Sequence, residues 1–244
     1  MTQRESRGCR PRLVFRAWAS DAPFYTAFSE TGSVIGGEPV GEELPGLTST
    51  AVHLCVDMQR LFGPEGPWPT PWMARVLPQC IALAAHSPQA TIFTRFVTPE
   101  TLDHSVGAWR DFYRRWPQTT RDRLDSGMLE LVPELARYAP PAQVFDKPVY
   151  SAFASRRLLA RLRQRSADTV ILSGAETDVC VLSTALGAVD HGFRVVIATD
   201  AVCSYSDQGH DALLGLFRER FSQQVAVATT EEILDRWHPH RPTL

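Results

Sequence analysis

A cysteine, a lysine and an aspartate fall where they could share one reaction. Cys180 lies in the stretch Thr169-Val-Ile-Leu-Ser-Gly174-Ala-Glu-Thr177-Asp-Val-Cys180-Val-Leu-Ser-Thr-Ala-Leu. Its β-branched opening, 170–172, reads as a strand buried on both faces. Gly174 breaks that run. From Asp178 onward Val179, Val181, Leu182, Ala185, Leu186 and Val189 follow helical spacing, with Thr177 or Asp178 as the cap. The spacing predicts Cys180 in a first helical turn, just past the carboxyl end of a strand. First-turn amides are unpaired and the helix dipole is positive there, so a thiolate is favoured. On this stretch alone Cys180 reads equally as an activated nucleophile or as a buried structural thiol. Asp57 closes the apolar run Ala51-Val-His-Leu-Cys-Val, and Lys147 closes the short run Gln143-Val-Phe-Asp. Each alone reads as a strand-end cap or a surface lysine. Together they supply what a thiol lacks. An ammonium stabilises sulfur, and a carboxylate takes the thiol proton and later activates water.

These groups meet only if their strands lie side by side in one parallel sheet, whose carboxyl ends share an edge. The remaining chain supplies such a sheet. Residues 90–96 read as a strand, and 72–85 as a helix despite Pro78. Residues 98–118 lack clean periodicity but carry Trp109, Phe112, Tyr113 and Trp116, and read as a short helix over the sheet edge. Residues 129–138 read as another short helix. Residues 155–165 form a basic amphipathic helix with Leu158, Leu159 and Leu162 inward and a solvated arginine face. Gly192 ends a helix before a fifth strand, 193–200. Residues 207–221 follow as a helix, 224–228 as a strand and 230–237 as a helix capped by Thr229 or Thr230. Strands alternating with helices predict an α/β fold, a parallel sheet between two helix layers joined by right-handed crossovers.

Residues 1–49 stand apart as an N-terminal extension. The first twelve are polar and basic and read as disordered. Residues 13–28 hold Phe15, Trp18, Phe24, Tyr25 and Phe28, enough to dock on the body or on a neighbouring subunit. Residues 32–46, rich in Gly, Pro and Glu, read as a loop. The expected division is extension 1–49, α/β domain 50–237 and frayed tail 238–244.

Composition narrows the partners. The hydrophobic fraction of 44% suits a globular protein with a substantial core, and a formal net charge of −2 argues against nucleic acid or an anionic membrane. No apolar run approaches a membrane span, and residues 1–12 lack a signal-peptide core. The five cysteines, Cys9, Cys55, Cys80, Cys180 and Cys203, are odd in number and show no CxxC pairing. That fits a reducing compartment, so the expected location is cytoplasmic.

On three motifs the chain resembles the isochorismatase-like cysteine hydrolases. They are Val56-Asp57-Met58-Gln59 with Phe62, Asp146-Lys147 followed by Tyr150-Ser-Ala-Phe153, and Gly174-Ala-Glu-Thr-Asp-Val-Cys180-Val181. A fainter echo is Val195-Val-Ile-Ala-Thr-Asp200-Ala201, and the likeness covers about 51–237. The resemblance implies a three-layer α/β/α, Rossmann-like fold with a parallel sheet of six strands in order 3-2-1-4-5-6. It implies a triad of Asp57, Lys147 and Cys180. It implies a cis peptide between Ala175 and Glu176, and an oxyanion hole from the backbone N–H groups of Glu176 and Cys180. It also implies a homodimer or homotetramer.

Nicotinamidases of this family place a metal beside the triad and write Asp-Trp-His-Pro after the second strand. Here the chain reads Thr94-Arg95-Phe96-Val97-Thr98-Pro99, with His104 alone nearby. The expectation is therefore no metal, no cofactor and no nicotinamide. Vinyl-ether hydrolases of the family lack the nucleophilic cysteine, so Cys180 favours C–N cleavage of a small amide, carbamoyl or ureido compound through a thioester. The alternatives are vinyl-ether hydrolysis, or a redox-responsive binding protein in which Cys203 resolves an oxidised Cys180. The pocket is expected from loops 63–72 and 98–118. Candidate substrate contacts are Gln59, Phe62, Arg95, Glu176, Trp109 and Tyr113. Arg95 reads equally as a carboxylate or carbonyl binder or as the partner of a loop acid. Glu176 reads equally as a substrate contact or as the partner of an arginine outside the site.

Overall fold

The computed structural model describes Leu44 and residues 46–239. Cys9, the aromatic segment 13–28 and the end of the tail lie outside the described residues. In chain order the elements are β1 (Val52–Val56), α1 (Met73–His86), β2 (Thr91–Phe96), α2 (Gly107–Arg115), α3 (Pro133–Ala136), β3 (Gln143–Lys147), α4 (Arg156–Gln164), β4 (Thr169–Ala175), α5 (Leu182–Asp190), β5 (Arg194–Cys203), α6 (Asp207–Arg220), β6 (Val225–Ala228) and α7 (Thr230–Arg236). The six strands form one all-parallel sheet in the order β3-β2-β1-β4-β5-β6. Among the described residues no helix is long and apolar enough to cross a membrane.

Two apolar layers sandwich the sheet. On one face Met73, Val76, Cys80 and Leu83 of α1 pack with Ile233 of α7 and Trp237. On the other, Leu158 and Leu162 of α4 pack with Ala185 of α5 and Phe217 of α6. Strands β1 and β4 are buried along their whole length, which explains their continuous rather than alternating apolar runs. Described residues ahead of position 50 also join the core. Leu44 and Leu47 are buried in the α1 layer, Arg236 donates to the Leu44 carbonyl, and Thr48 donates to Asp168. Two leucines inside a Gly- and Glu-rich stretch have no periodicity to betray them.

The sheet's carboxyl edge is shaped by two backbone positions. Gly174 has φ +106, and a Cβ there would stand 2.0 Å from the Val56 carbonyl oxygen. Only glycine lets β4 approach the end of β1 so closely. Asp57, directly after β1, has φ +50, a left-handed conformation that Asp tolerates better than most residues. Its N–H donates to the Thr94 carbonyl at 3.2 Å. Strand β5 runs past the expected end at Asp200. After a register shift between Leu172 and Gly174, Val202 and Cys203 pair with Gly174 and Ala175.

Candidate active site

The turn that carries Cys180 differs from the simple capped helix expected. Thr177–Val181 is a π-helical turn that passes into α5, and Glu176 is its N-cap, without a side-chain capping bond. Such turns recur at functional sites. The two expected caps point elsewhere. Thr177 Oγ1 is hydrogen-bonded with Nδ1 of His210 at 3.0 Å, and Asp178 accepts from Ser204. A Cβ on Gly209 of α6 would meet the Asp178 carboxylate at 2.6 Å. The start of α6 therefore clamps the turn that carries Cys180. The peptide bond between Ala175 and Glu176 is cis.

Three strand ends bring the expected groups together. Lys147 Nζ stands 2.7 Å from Asp57 Oδ2 and 3.5 Å from Cys180 Sγ. It also donates to the Val149 carbonyl at 3.0 Å. Thr94 Oγ1, on the neighbouring strand β2, donates to Asp57 Oδ1 at 2.6 Å. The Phe96 ring centroid lies 5.3 Å from the ammonium. Asp57 is 0% exposed, Lys147 1% and Cys180 4%.

Burial sets the protonation of this cluster. It works against the Lys147 ammonium, but the Asp57 carboxylate and the Cys180 sulfur outweigh it and hold the lysine above its ordinary pKa. Cys180 moves the other way from the sequence expectation. Burial pushes the thiol up, the adjoining Asp57 carboxylate pushes it further, and Lys147 only partly opposes them. The resting site therefore holds a neutral thiol beside an Asp57–Lys147 ion pair. A sequence shows the ammonium and the helix start, but not the carboxylate that lies within hydrogen-bonding reach of the sulfur.

Cys180 opens into a cavity of about 590 Å³. Phe62 and Glu176 line it, as do residues of the two expected loops: Trp68 from the first, Phe112, Arg115 and Trp116 from the second. Phe96, Tyr150 and Tyr205 add to the wall. Four candidate contacts lie elsewhere. Gln59 is spent within the fold: its Nε2 donates to the Phe96 and Leu129 carbonyls at 3.1 and 2.7 Å, and its Oε1 accepts from the Phe96 N–H. Arg95 takes the second of its two readings, pairing with Glu130 at 2.7 Å and Asp146 at 2.8 Å. Trp109 and Tyr113 line a second cavity with Thr98, His104 and Lys147, not the one that holds Cys180. The ring of Trp109 packs on Phe96 and Phe112, behind the cavity wall. Helical spacing places Trp109, Phe112, Tyr113 and Trp116 on one stripe, but only packing decides which rings reach the lumen.

Glu176 forms no ion pair among the described residues. Its partial burial, followed by the charges of Asp178 and Asp57, pushes its pKa up to about 7.

The Asp-and-two-His donor set of the metal-dependent relatives does not fit this chain. After β2 the residues are Val97, Thr98 and Pro99, and His104 is an exposed residue paired with Thr101 at 3.0 Å. Among the described residues no three of His, Cys, Asp and Glu gather to hold an ion. Activity is expected to survive exhaustive dialysis against EDTA. Loss of turnover that zinc or manganese restores would show that the chain holds a catalytic metal.

A family profile for the isochorismatase domain matches residues 51–232. Nicotinamidase 3 of Arabidopsis thaliana is 30% identical over 67% of this chain and 78% of its own length. Maleamate amidohydrolase of Pseudomonas putida is 27% identical over 64% of this chain and 73% of its own. The crystal structure of a cysteine hydrolase from Pseudomonas syringae superposes with a TM-score of 0.68 and 26% identity, over 79% of this chain and 95% of that one. The chain spans 49% and 65% of the length of two further curated relatives that it matches.

Proposed function

This chain belongs to the isochorismatase family, and from that premise we propose that it is a cysteine-dependent hydrolase of a small amide, carbamoyl or ureido C–N bond. One observation carries the reading. A thiol at the wall of a small cavity touches a lysine that is itself paired with a buried carboxylate. Nothing in the packing of a structural cysteine requires that arrangement.

The reaction follows from the resting protonation state. Asp57 takes the Cys180 proton as sulfur attacks the carbonyl carbon, and Lys147 keeps its charge beside the sulfur. The carbonyl oxygen becomes an oxyanion against the backbone N–H groups of Glu176 and Cys180. Asp57 returns the proton to the departing nitrogen, which leaves as ammonia or an amine. A thioester remains. Asp57 then takes a proton from water, the hydroxide attacks the thioester carbonyl, and the acid departs as the thiol regains its proton.

The redox alternative has less support. Cys203 packs in the α1 layer, and Cys180 in the layer on the opposite face of the sheet.

Alkylation tests the nucleophile. At mildly alkaline pH iodoacetamide is expected to label Cys180 well before Cys55, Cys80 and Cys203, because only Cys180 lines the cavity while those three are at most 1% exposed. The rate should climb with pH as the thiol ionises. Peptide mapping that finds Cys203 labelled first would remove Cys180 from its place at the cavity wall. The reaction itself is tested by a panel of small amides, with mass spectrometry of the trapped protein. An acyl adduct confined to Cys180, absent from Cys180→Ala, is the expected result. Turnover by Cys180→Ala would overturn it.

A further inference from the structure

The cavity carries a charge that the triad does not use. Glu176 lines it beside Cys180. Other acids near the sheet edge have partners: Asp57 has Lys147, Asp146 and Glu130 share Arg95, and Asp178 has Ser204. Glu176 has no cation among the described residues. A carboxylate drawn out of water without a counter-charge is costly, and the cost falls when a cation arrives.

The walls favour a particular kind of cation. Trp68 sits at the centre of a ring cluster, with centroids 6.2 Å from Phe62, 6.2 Å from Phe96, 5.6 Å from Phe112 and 6.2 Å from Trp116. All five rings line the cavity. Ring faces attract a bulky, weakly hydrated ammonium more than they attract a carboxylate. Arg115, the one basic group that lines it among the described residues, is exposed to solvent, where its repulsion is screened.

We propose that this cavity selects amides whose far end is a bulky organic cation, an alkylammonium held against the Trp68 ring cluster and paired with Glu176. The proposal rests on the C–N hydrolase reading for the amide half of the substrate. Cation binding itself needs no turnover.

The proposal also sets a pH dependence. The charged and titratable groups that act on or are acted on by Glu176 are Asp178, Asp57, Tyr150 and Cys203. Both aspartates raise its pKa, while Tyr150 and Cys203 are themselves pushed up and stay neutral near pH 7. Glu176 titrates at about 7, so a cation should bind more tightly as pH rises through that value and level off above it.

The test uses the full chain carrying Cys180→Ala, so that binding is read without hydrolysis. Three amides are compared by calorimetry: a trimethylammonium propanamide, its uncharged tert-butyl isostere, and succinamate. The cation is expected to bind about tenfold or more tightly than the isostere, with succinamate weakest. Glu176→Gln should bring cation and isostere to within about threefold, Glu176→Asp should restore part of the preference, and Trp68→Leu should weaken the cation more than the isostere. The pH dependence needs no substitution at Glu176 and stands if a variant misfolds. Equal or tighter binding of the tert-butyl amide at every pH overturns the proposal in favour of a neutral amide meeting a protonated Glu176. If the cation binds as expected but the unsubstituted protein leaves its amide bond intact, the hydrolase reading fails and the cation site stands. If all three amides are hydrolysed without preference, the reverse holds.

Discussion

Asp57→Asn is expected to lower kcat/KM by about 10²–10⁴-fold, the usual contribution of a positioned general base, while making Cys180 alkylate faster. The two effects have one cause. In the proposed reaction the carboxylate is the acceptor of the thiol proton, and it is also a negative charge that pushes the thiol pKa up. Asparagine removes both. Lys147 Nζ, 3.5 Å from the sulfur, then has the thiolate as its nearest anion. The thiolate forms more readily in the resting protein, yet no group returns a proton to the leaving nitrogen or activates water. An amide substrate should therefore turn over hardly at all, while iodoacetamide, which needs no acid catalyst, reacts faster at a given pH. A strand-end cap predicts neither effect, because asparagine caps as well as aspartate. Folded Asp57→Asn protein with unaltered turnover would leave the triad without its base. Equal loss of turnover and of alkylation would point to a collapsed site. The substitution is not silent for stability. Asp57 and Lys147 are both fully buried, so the variant leaves an ammonium without its carboxylate, a change that costs about 3–5 kcal/mol in comparable buried pairs. Urea titration should show a lowered midpoint.

Lys147→Met should abolish turnover to a similar extent and slow alkylation as well, the opposite of the Asp57→Asn result. Methionine fills much of the lysine stem but removes the charge that partly offsets burial of the sulfur. The thiol pKa then rises further, and Asp57 is left buried and unpaired. A surface lysine would be replaced at little cost. This one is 1% exposed, so destabilisation of about 3–5 kcal/mol is expected. The double variant Asp57→Asn with Lys147→Met should recover part of that loss, because removing both partners leaves no uncompensated charge. Stability should also depend on alkaline pH. The folded pKa of Lys147 lies above its ordinary value, so its contribution is complete below the unfolded lysine value of about 10.4 and is lost as pH rises through the folded one. Lys147→Met should flatten that limb. Near-normal turnover in a folded Lys147→Met protein, with unchanged alkylation, would remove the lysine from the chemistry.

The parallel sheet was legible because its signal is local. A strand buried on both faces must be apolar throughout, and Val52–Val56 and Thr169–Ala175 are nearly so. Their alternation with helical spacing leaves few topologies. The same runs mark Asp57 and Lys147 as strand-end residues and Cys180 as lying in the turn just past a strand, so their convergence on one edge could be argued from order along the chain. The burial of Leu44 and Leu47 was not legible, since they lack periodicity.

The state of the thiol was decided only by the tertiary structure. Helix position and a nearby lysine argued for a lowered pKa. Depth of burial and the Asp57 carboxylate, residues apart in sequence but adjacent in space, reverse that sign. The substrate-contact candidates divide for the same reason. Gln59 and Arg95 have the right chemistry and stand at the right edge, but backbone carbonyls and two acids reach them first. Glu176, equally polar, is left lining the cavity because no cation among the described residues pairs with it. A sequence lists which groups can bond. Which bonds form first depends on distances across strands and loops, and those distances exist only in the folded chain.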